Sequence, residues 1–132
     1  MNTWYLNSCK KNQSSRHKIE LGLEDYMLNE NIACFGIGTI EEERHLKRGF
    51  NTYKQYEYFK KNAKKDDIVY LYSNGNGVIA ESKYNGHMVF EINNKGPWNN
   101  KGEQQVNIGI DKWTRVTPYK ISSAPRFTLS KK

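Results

Sequence analysis

Few residues in this sequence have the types and spacing that catalysis or metal binding requires. His17, His45 and His87 fall in different predicted elements and share no spacing pattern. Cys9 and Cys34 are isolated, with no CxxC pair and no paired histidines, which argues against a structural zinc site. The sequence contains no HExxH, GxSxG, P-loop or EF-hand motif. We therefore expect a protein that is not an enzyme and that uses no metal or cofactor.

The acidic and glycine-containing segments have structural explanations. The run from Glu41 to Glu43 is typical of the first turn of a helix, where carboxylates interact favourably with the helix dipole. Asp66 and Asp67 follow a basic run and are expected to begin a strand in solvent rather than to bind a metal. Gly36-Ile37-Gly38 lacks the third glycine of a dinucleotide fingerprint. A Cys34–histidine dyad stays open as an alternative, although chance alone suggests such dyads in many sequences.

Aromatic rings combined with positive charge point to a different chemistry. The chain has nine tyrosines, five phenylalanines, three tryptophans and a net charge of +7. Proteins that bind single-stranded nucleic acid stack bases on aromatic rings while lysines follow the phosphates. Trp98 lies in a polar Asn/Gly/Pro segment and is the best candidate for a stacking ring; the alternative is a ring that caps the fold. Trp4 and Trp113 lie in predicted strands and are expected in the core.

The basic residues allow two interpretations. Lys54, Lys60, Lys61 and Lys64 lie in one helix-forming stretch and are candidates for phosphate contacts. A positive field of this size attracts polyanions. A charge run is more often a solvated helix face, and a Lys/Asn-rich composition can reflect the base composition of the source genome.

The predicted elements are one strand, a helix, a strand, a helical insert and then four or five antiparallel strands. The first strand opens at Trp4, a helix covers 19–28, and an apolar strand covers 32–38. Aromatic residues at 50, 53, 56 and 59 have helical spacing. In the second half, a strand at 68–72 is followed by an Asn-Gly turn at 74–77, a strand that begins at 78 and another at 87–92. A final hairpin is predicted from strands at 105–110 and 112–119, with its turn near Asp111.

A chain of 132 residues fits one domain. We expect this domain to cover residues 1–121, with residues 122–132 as a C-terminal arm whose basic end is flexible. The fold class is α+β, with a small curved mixed or antiparallel sheet that curls towards a barrel and is flanked by two or three helices. There is no secretion signal and no apolar stretch of membrane-spanning length, which favours an intracellular protein, cytoplasmic or nuclear, with reduced thiols.

The order of these segments resembles that of the EVE and YTH branches of the PUA-like superfamily. Residues 4–8 (WYLNS) are similar to the family's opening strand, and residues 31–38 (NIACFGIG) to its second strand. Residues 66–72 (DDIVYLY) and 77–80 (GVIA) are similar to its central hairpin, and residues 113–119 to its closing strand. The resemblance covers about residues 3–119 and depends on the order of the segments.

This resemblance implies a PUA-like pseudo-barrel with a base-binding pocket where the first strand, its following loop and the second strand meet. It implies that Asn7 and Ser8 are the polar pair of that pocket. Phe35, next to Gly36, falls near the position where many relatives have a pocket tryptophan, and Tyr72 would line the mouth. Phenylalanine at that position, and no tryptophan soon after the central hairpin, depart from methyl-adenine readers, so a second wall would have to come from Trp98.

Our hypothesis from the sequence is therefore a reader domain that holds a modified or unmodified base of single-stranded or flipped nucleic acid. One alternative is a small-molecule protein that senses or sequesters a free nucleotide in the same pocket. Another is a protein-interaction module. The sequence does not choose between DNA and RNA.

Overall fold

The computed structural model describes residues 2–8, 23–36, 52–73, 75–92, 104–125 and 127–132. These residues form an α+β fold with two helices and one mixed sheet of seven strands. The elements are β1 (Thr3–Asn7), α1 (Leu23–Glu30), β2 (Ala33–Gly36), α2 (Thr52–Asn62), β3 (Ile68–Ser73), β4 (Gly77–Ile92), β5 (Gln104–Ile110), β6 (Thr114–Tyr119) and β7 (Leu129–Lys131). Among the described residues, no helix is both long enough and apolar enough to cross a membrane.

The sheet follows the order β2-β5-β4-β3-β1-β7, with β6 also paired to β4. The pairing of β1 with β3 is parallel, and all other pairings are antiparallel. Because β2 and β7 stand at opposite ends of this path, the described strands form an open sheet. The predicted α+β class and mixed sheet are confirmed.

Strand β4 corrects the prediction of two separate strands. It runs without interruption from Gly77 to Ile92, although its pairing with β5 shifts register between Tyr84 and Met88. Gly86 has a φ of 92°, a left-handed conformation that glycine adopts without steric cost. The strand therefore bends at an irregularity here instead of ending.

The predicted hairpin of 105–110 and 112–119 is also wrong. Both β5 and β6 pair antiparallel with β4, so they run in the same direction along it. The junction between them is held on β4, because the Ser82 hydroxyl donates to the carbonyl oxygen of Asp111 at 2.7 Å and the Asp111 amide donates to Lys83. These bonds hold the chain along β4 at Asp111, the position where the predicted hairpin would have reversed the chain direction.

The two faces of the sheet carry separate apolar clusters. Trp4 and Leu6 of β1 join the main core with Leu23 and Met27 of α1, whereas Tyr5 belongs to a second cluster with Tyr72 and Val78. This division follows from the alternation of side chains along a strand. Phe59 of α2 packs edge-on against the Trp4 ring, 4.7 Å between ring centroids. Trp4 and Trp113 are 1% and 6% exposed, which confirms their predicted core positions.

Helix α1 ends in a C-terminal cap that connects the helix to Trp113, the residue directly before β6. Asn31 has a φ of 55°, and the Ile32 amide donates to the carbonyl oxygen of Met27 at 3.0 Å, as in a Schellman cap. The Asn31 side chain accepts from the Trp113 amide at 2.8 Å, and the Trp113 indole donates to the Ile32 carbonyl at 2.7 Å. These three bonds fix where α1 lies on the sheet.

The C-terminal segment, expected to be an arm, returns to the sheet. Leu129 lies opposite Leu6 in the antiparallel pairing of β7 with β1, and it is 3% exposed. Its amide donates to the side-chain oxygen of the buried Gln55 at 2.9 Å, which connects β7 to α2.

Candidate functional site

The carboxyl ends of β1 and β3 bring together three of the residues expected in the pocket. The strands are parallel with Asn7 opposite Tyr72, so both chains leave the sheet at the same end. The Ser8 amide donates to the carbonyl oxygen of Tyr72 at 2.9 Å, and the Asn7 amide donates to that of Thr128 at 2.7 Å. Asn7, Ser8 and Tyr72 are therefore neighbours in space, although Tyr72 is more than 60 positions from the other two in the sequence.

The alternation of side chains divides these neighbours between two faces. Leu6 lies in the main core and Tyr5 in the second cluster. Ser8 therefore follows Leu6 on the helix-covered face, and Asn7 follows Tyr5 on the face of Tyr72. The expected polar pair of Asn7 and Ser8 consequently points in two directions, and only one of the two side chains can serve a pocket on the helix side.

Ser8 carries an unusual feature for a buried residue. It has no exposed surface, and its hydroxyl oxygen has no hydrogen-bond partner, the one such side-chain atom found in the part of the chain that the structure describes. A buried polar group without a partner costs about 1–3 kcal/mol. Such groups are rare in folded proteins, and their known causes are backbone strain, a functional role, or a bound water or ion.

A second serine stands beside Ser8 and is fully bonded. Ser73 comes one position after Tyr72, as Ser8 comes one position after Asn7. The buried Ser73 hydroxyl donates to a carboxylate oxygen of Glu24 at 2.6 Å and accepts from the Asn76 side chain at 3.3 Å. Neither Ser73 nor Glu24 was predicted as a site residue; the signal in the sequence was a serine at the end of each strand, Ser8 directly after β1 and Ser73 as the last residue of β3.

Phe35 and Gly36 lie elsewhere on the sheet. They belong to β2, and three strands separate β2 from β1 along the sheet. Phe35 is 1% exposed and forms part of the main core, so its ring is not the wall of an open pocket. Trp98, expected as the second wall, lies outside the described residues.

The predicted phosphate-binding lysines share one region. Lys54, Lys60 and Lys61 lie on α2, and Lys64 follows the end of that helix. Lys54 is half-buried, whereas Lys60, Lys61 and Lys64 are exposed. The Lys60 ammonium lies 5.9 Å from the centre of the Tyr56 ring, a distance that allows a cation–π interaction.

Asp67 corrects the expectation of an acidic strand start in solvent. Asp66 is exposed, but Asp67 is buried and accepts hydrogen bonds from the amides of Asn2 and Lys64 and from the Trp4 indole, at 3.0–3.1 Å. Burial opposes ionisation of this carboxyl, but the three hydrogen bonds outweigh it and hold its pKa below the ordinary 3.8. Asp67 therefore fixes the start of β1 against the end of α2.

The described residues contain no group of three or more His, Cys, Asp or Glu side chains that could hold a metal ion. Within them, His87 is exposed and Cys34 is buried. His17, His45 and Cys9 lie outside the described residues.

Comparison of the chain with protein-family models, with curated proteins and with solved structures gives no match. The physical features of the chain are therefore the basis for assigning its function.

Proposed function

We propose that this protein is a non-enzymatic domain of PUA-like fold that binds nucleic acid and holds one base at the carboxyl ends of β1 and β3. The observation that carries the proposal is the buried hydroxyl of Ser8, which has no hydrogen-bond partner. A base edge placed against this hydroxyl would supply the missing bond, because each base presents several donors and acceptors.

The groups around Ser8 favour a base with N–H donors on its edge. A hydroxyl both donates and accepts, and a carboxylate accepts only. The Glu24 carboxylate accepts a hydrogen bond from Ser73, which follows Tyr72 as Ser8 follows Asn7, and we take it as the second group of the pocket. A pocket with one hydroxyl and one carboxylate suits an edge that combines amino or imino N–H groups with a carbonyl or ring nitrogen.

Access to Ser8 requires a conformational change, because the residue has no exposed surface. The base therefore enters only when the covering chain moves aside. Binding that depends on such a change associates more slowly than a rigid docking event.

The charge of the chain supports a polyanionic ligand. The net charge is +7, and Lys54, Lys60, Lys61 and Lys64 lie on or just after one helix. Lysines placed along one element can contact successive phosphates of a strand while a single base is held in the pocket.

The PUA-like fold is supported by the order of the elements. A first strand, a helix, a second strand, a helical segment and a series of antiparallel strands follow one another as in that superfamily. The parallel pairing of β1 with β3 places the first strand beside the central hairpin, whereas β2, expected to border the pocket, lies three strands away from β1.

The test is fluorescence anisotropy with short single-stranded RNA and DNA oligonucleotides and with free nucleotides, on the wild type and on Ser8→Ala. We expect oligonucleotide binding that weakens steeply with salt, and an affinity about tenfold lower for Ser8→Ala. Ser82→Ala is the matched control, since Ser82 is a buried serine whose hydroxyl bonds at the β5–β6 junction.

Three outcomes would overturn the proposal. The first is that no oligonucleotide binds at low salt. The second is that Ser8→Ala and Ser82→Ala bind the oligonucleotide equally well, which would show that the bound base does not contact the Ser8 hydroxyl. The third is that free nucleotides bind as tightly as oligonucleotides, which would favour a protein that sequesters nucleotides.

A further inference from the structure

A cleft of about 320 Å³ lies between the end of α2 and the irregular part of β4. Tyr56, Lys60 and Ala63 line it from the helix side, and Tyr84, Gly86 and Met88 line it from the strand side. Lys65 completes the lining. This volume lies near the lower end of the range for small-molecule sites. We call it the α2–β4 cleft.

The lining of the α2–β4 cleft is positive. Among the described residues that line it, the two charged ones are Lys60 and Lys65, and none is a carboxylate. Another cleft of about 280 Å³ lies along β3, β4 and β6, where Lys83 and Lys112 are balanced by Glu81 and Asp111. Of these two clefts, only the α2–β4 cleft has a charge that selects an anion.

The positions of the two lysines are set by the fold. The Lys60 ammonium lies 5.9 Å from the centre of the Tyr56 ring, which orients it along the wall of the cleft. The segment that contains Lys65 is tied to β4, because the Asp66 amide donates to Tyr84 and the Tyr84 amide donates to Asp67, both at 2.8 Å. The backbone of each lysine is therefore fixed, that of Lys60 in α2 and that of Lys65 against β4.

Gly86 opens the strand side of the cleft. Its φ of 92° allows β4 to bend, and a Cβ built at this position would lie 3.5 Å from the Cβ of Lys65. The stem of Lys65 thus passes over bare backbone. A side chain at this position would be strained by the left-handed backbone and would narrow the gap between the two walls.

We propose that the α2–β4 cleft binds one nucleotide unit of a nucleic acid strand, with its phosphate held between Lys60 and Lys65. The rings of Tyr56 and Tyr84 and the side chains of Ala63 and Met88 form the apolar part that faces the sugar and base. This inference deepens the proposed function, since it takes the ligand to be nucleic acid and adds a second contact remote from Ser8.

Lysines near a helix C-terminus also have a structural explanation. Lys60 and Lys61 both lie in the last turn of α2, where positive charge stabilises the helix dipole. This explanation predicts that the lysines of the region are equivalent. The α2–β4 cleft predicts that they are not, because all four lysines are exposed but only Lys60 and Lys65 line it.

The experiment compares two double variants that remove the same charge. Lys60→Gln with Lys65→Gln empties the cleft of its cations. Lys61→Gln with Lys64→Gln is the control of equal charge, since it removes two of the proposed phosphate-contacting lysines that do not line the cleft. With a single-stranded oligonucleotide as the probe, we expect the cleft variant to bind about tenfold more weakly than the control, with a shallower salt dependence. In the wild type, the Gly86 amide resonance should shift when the oligonucleotide is added.

The outcomes separate the two proposals. If the wild type binds no oligonucleotide, the proposed function fails. If the wild type binds, but both double variants lose affinity equally and the Gly86 resonance does not move, only the α2–β4 cleft assignment fails. If the cleft variant does not fold, the shift of the Gly86 amide resonance in the wild type still tests the α2–β4 cleft assignment.

Discussion

Ser8 makes one good hydrogen bond and lacks another: its amide donates to the carbonyl oxygen of Tyr72 at 2.9 Å, while its buried hydroxyl has no partner. The backbone bond continues the parallel pairing of β1 with β3 by one residue beyond Asn7. It holds the hydroxyl in place without satisfying it. The protein therefore retains a small destabilising feature at the end of two neighbouring strands.

Replacement of this hydroxyl should stabilise the unliganded protein. Ser8→Ala removes a buried polar group without a partner and leaves the backbone bond intact, so we expect the free energy of unfolding to rise by about 1 kcal/mol. Ser73→Ala is the matched control, because it removes a hydroxyl that bonds Glu24, and it should lower stability by about 1–2 kcal/mol. Urea unfolding measures both. Equal destabilisation by the two substitutions would show that the Ser8 hydroxyl is satisfied in solution.

Acid stability should depend on Asp67. Its pKa is lower in the folded state than the ordinary 3.8, so its stabilising effect is complete above 3.8 and is lost as the pH falls through the folded-state value. Asp67→Asn should lower stability by about 1–3 kcal/mol at neutral pH, because charged hydrogen bonds are replaced by weaker ones.

The difference between wild type and Asp67→Asn should then shrink as the pH falls below the lowered pKa. Thermal unfolding across the acid range measures this convergence. The control is Asp66→Asn, at an exposed neighbour, which should leave the pH profile close to that of the wild type. If the difference in stability between wild type and Asp67→Asn stayed constant at all pH values, it would contradict a lowered pKa of Asp67.

The cap of α1 should depend on an acceptor oxygen at position 31. Asn31→Ala removes the acceptor for the Trp113 amide and places alanine at a φ of 55°, so it should cost about 1–2 kcal/mol. Asn31→Asp keeps the acceptor oxygen and should be nearly neutral. Chemical denaturation of the two variants is the measurement. If both lose the same stability, the bond to Trp113 contributes little.

The attachment of β7 should depend on Gln55. Gln55→Leu removes the acceptor for the Leu129 amide, leaving a buried donor without a partner. The Leu129 amide should then exchange with solvent about tenfold faster in hydrogen-exchange measurements. Gln55→Glu preserves an acceptor and should retain more of the protection. Unchanged exchange in Gln55→Leu would mean that pairing with β1 alone holds β7.

Local patterns predicted the elements but not how they join. The spacing of Tyr53, Tyr56 and Phe59 fixes α2, because one face of a helix collects residues three apart. The apolar run from Ile68 fixes β3. The strand that follows the turn was predicted as two separate strands. Local sequence patterns do not indicate whether a glycine such as Gly86 ends a strand or only bends it.

The candidate site shows the same limit. Asn7 and Ser8 were identified by resemblance as a pair, yet side-chain alternation in β1 places them on opposite faces. Ser73 and Glu24 were missed because their bond joins residues 49 positions apart. A hydrogen bond between residues so far apart produces no pattern in the spacing of neighbouring residues along the sequence.

The sequence by itself determined the α+β class, the positive charge, and the core positions of Trp4 and Trp113. These depend on composition and on periodicity over a few residues. Only the tertiary structure decided that Ser8 is buried without a partner, that Asp67 is enclosed by three donors, and that Lys60 and Lys65 share a cleft. Hydrogen-bond satisfaction and cleft shape depend on groups that folding brings together from distant parts of the chain.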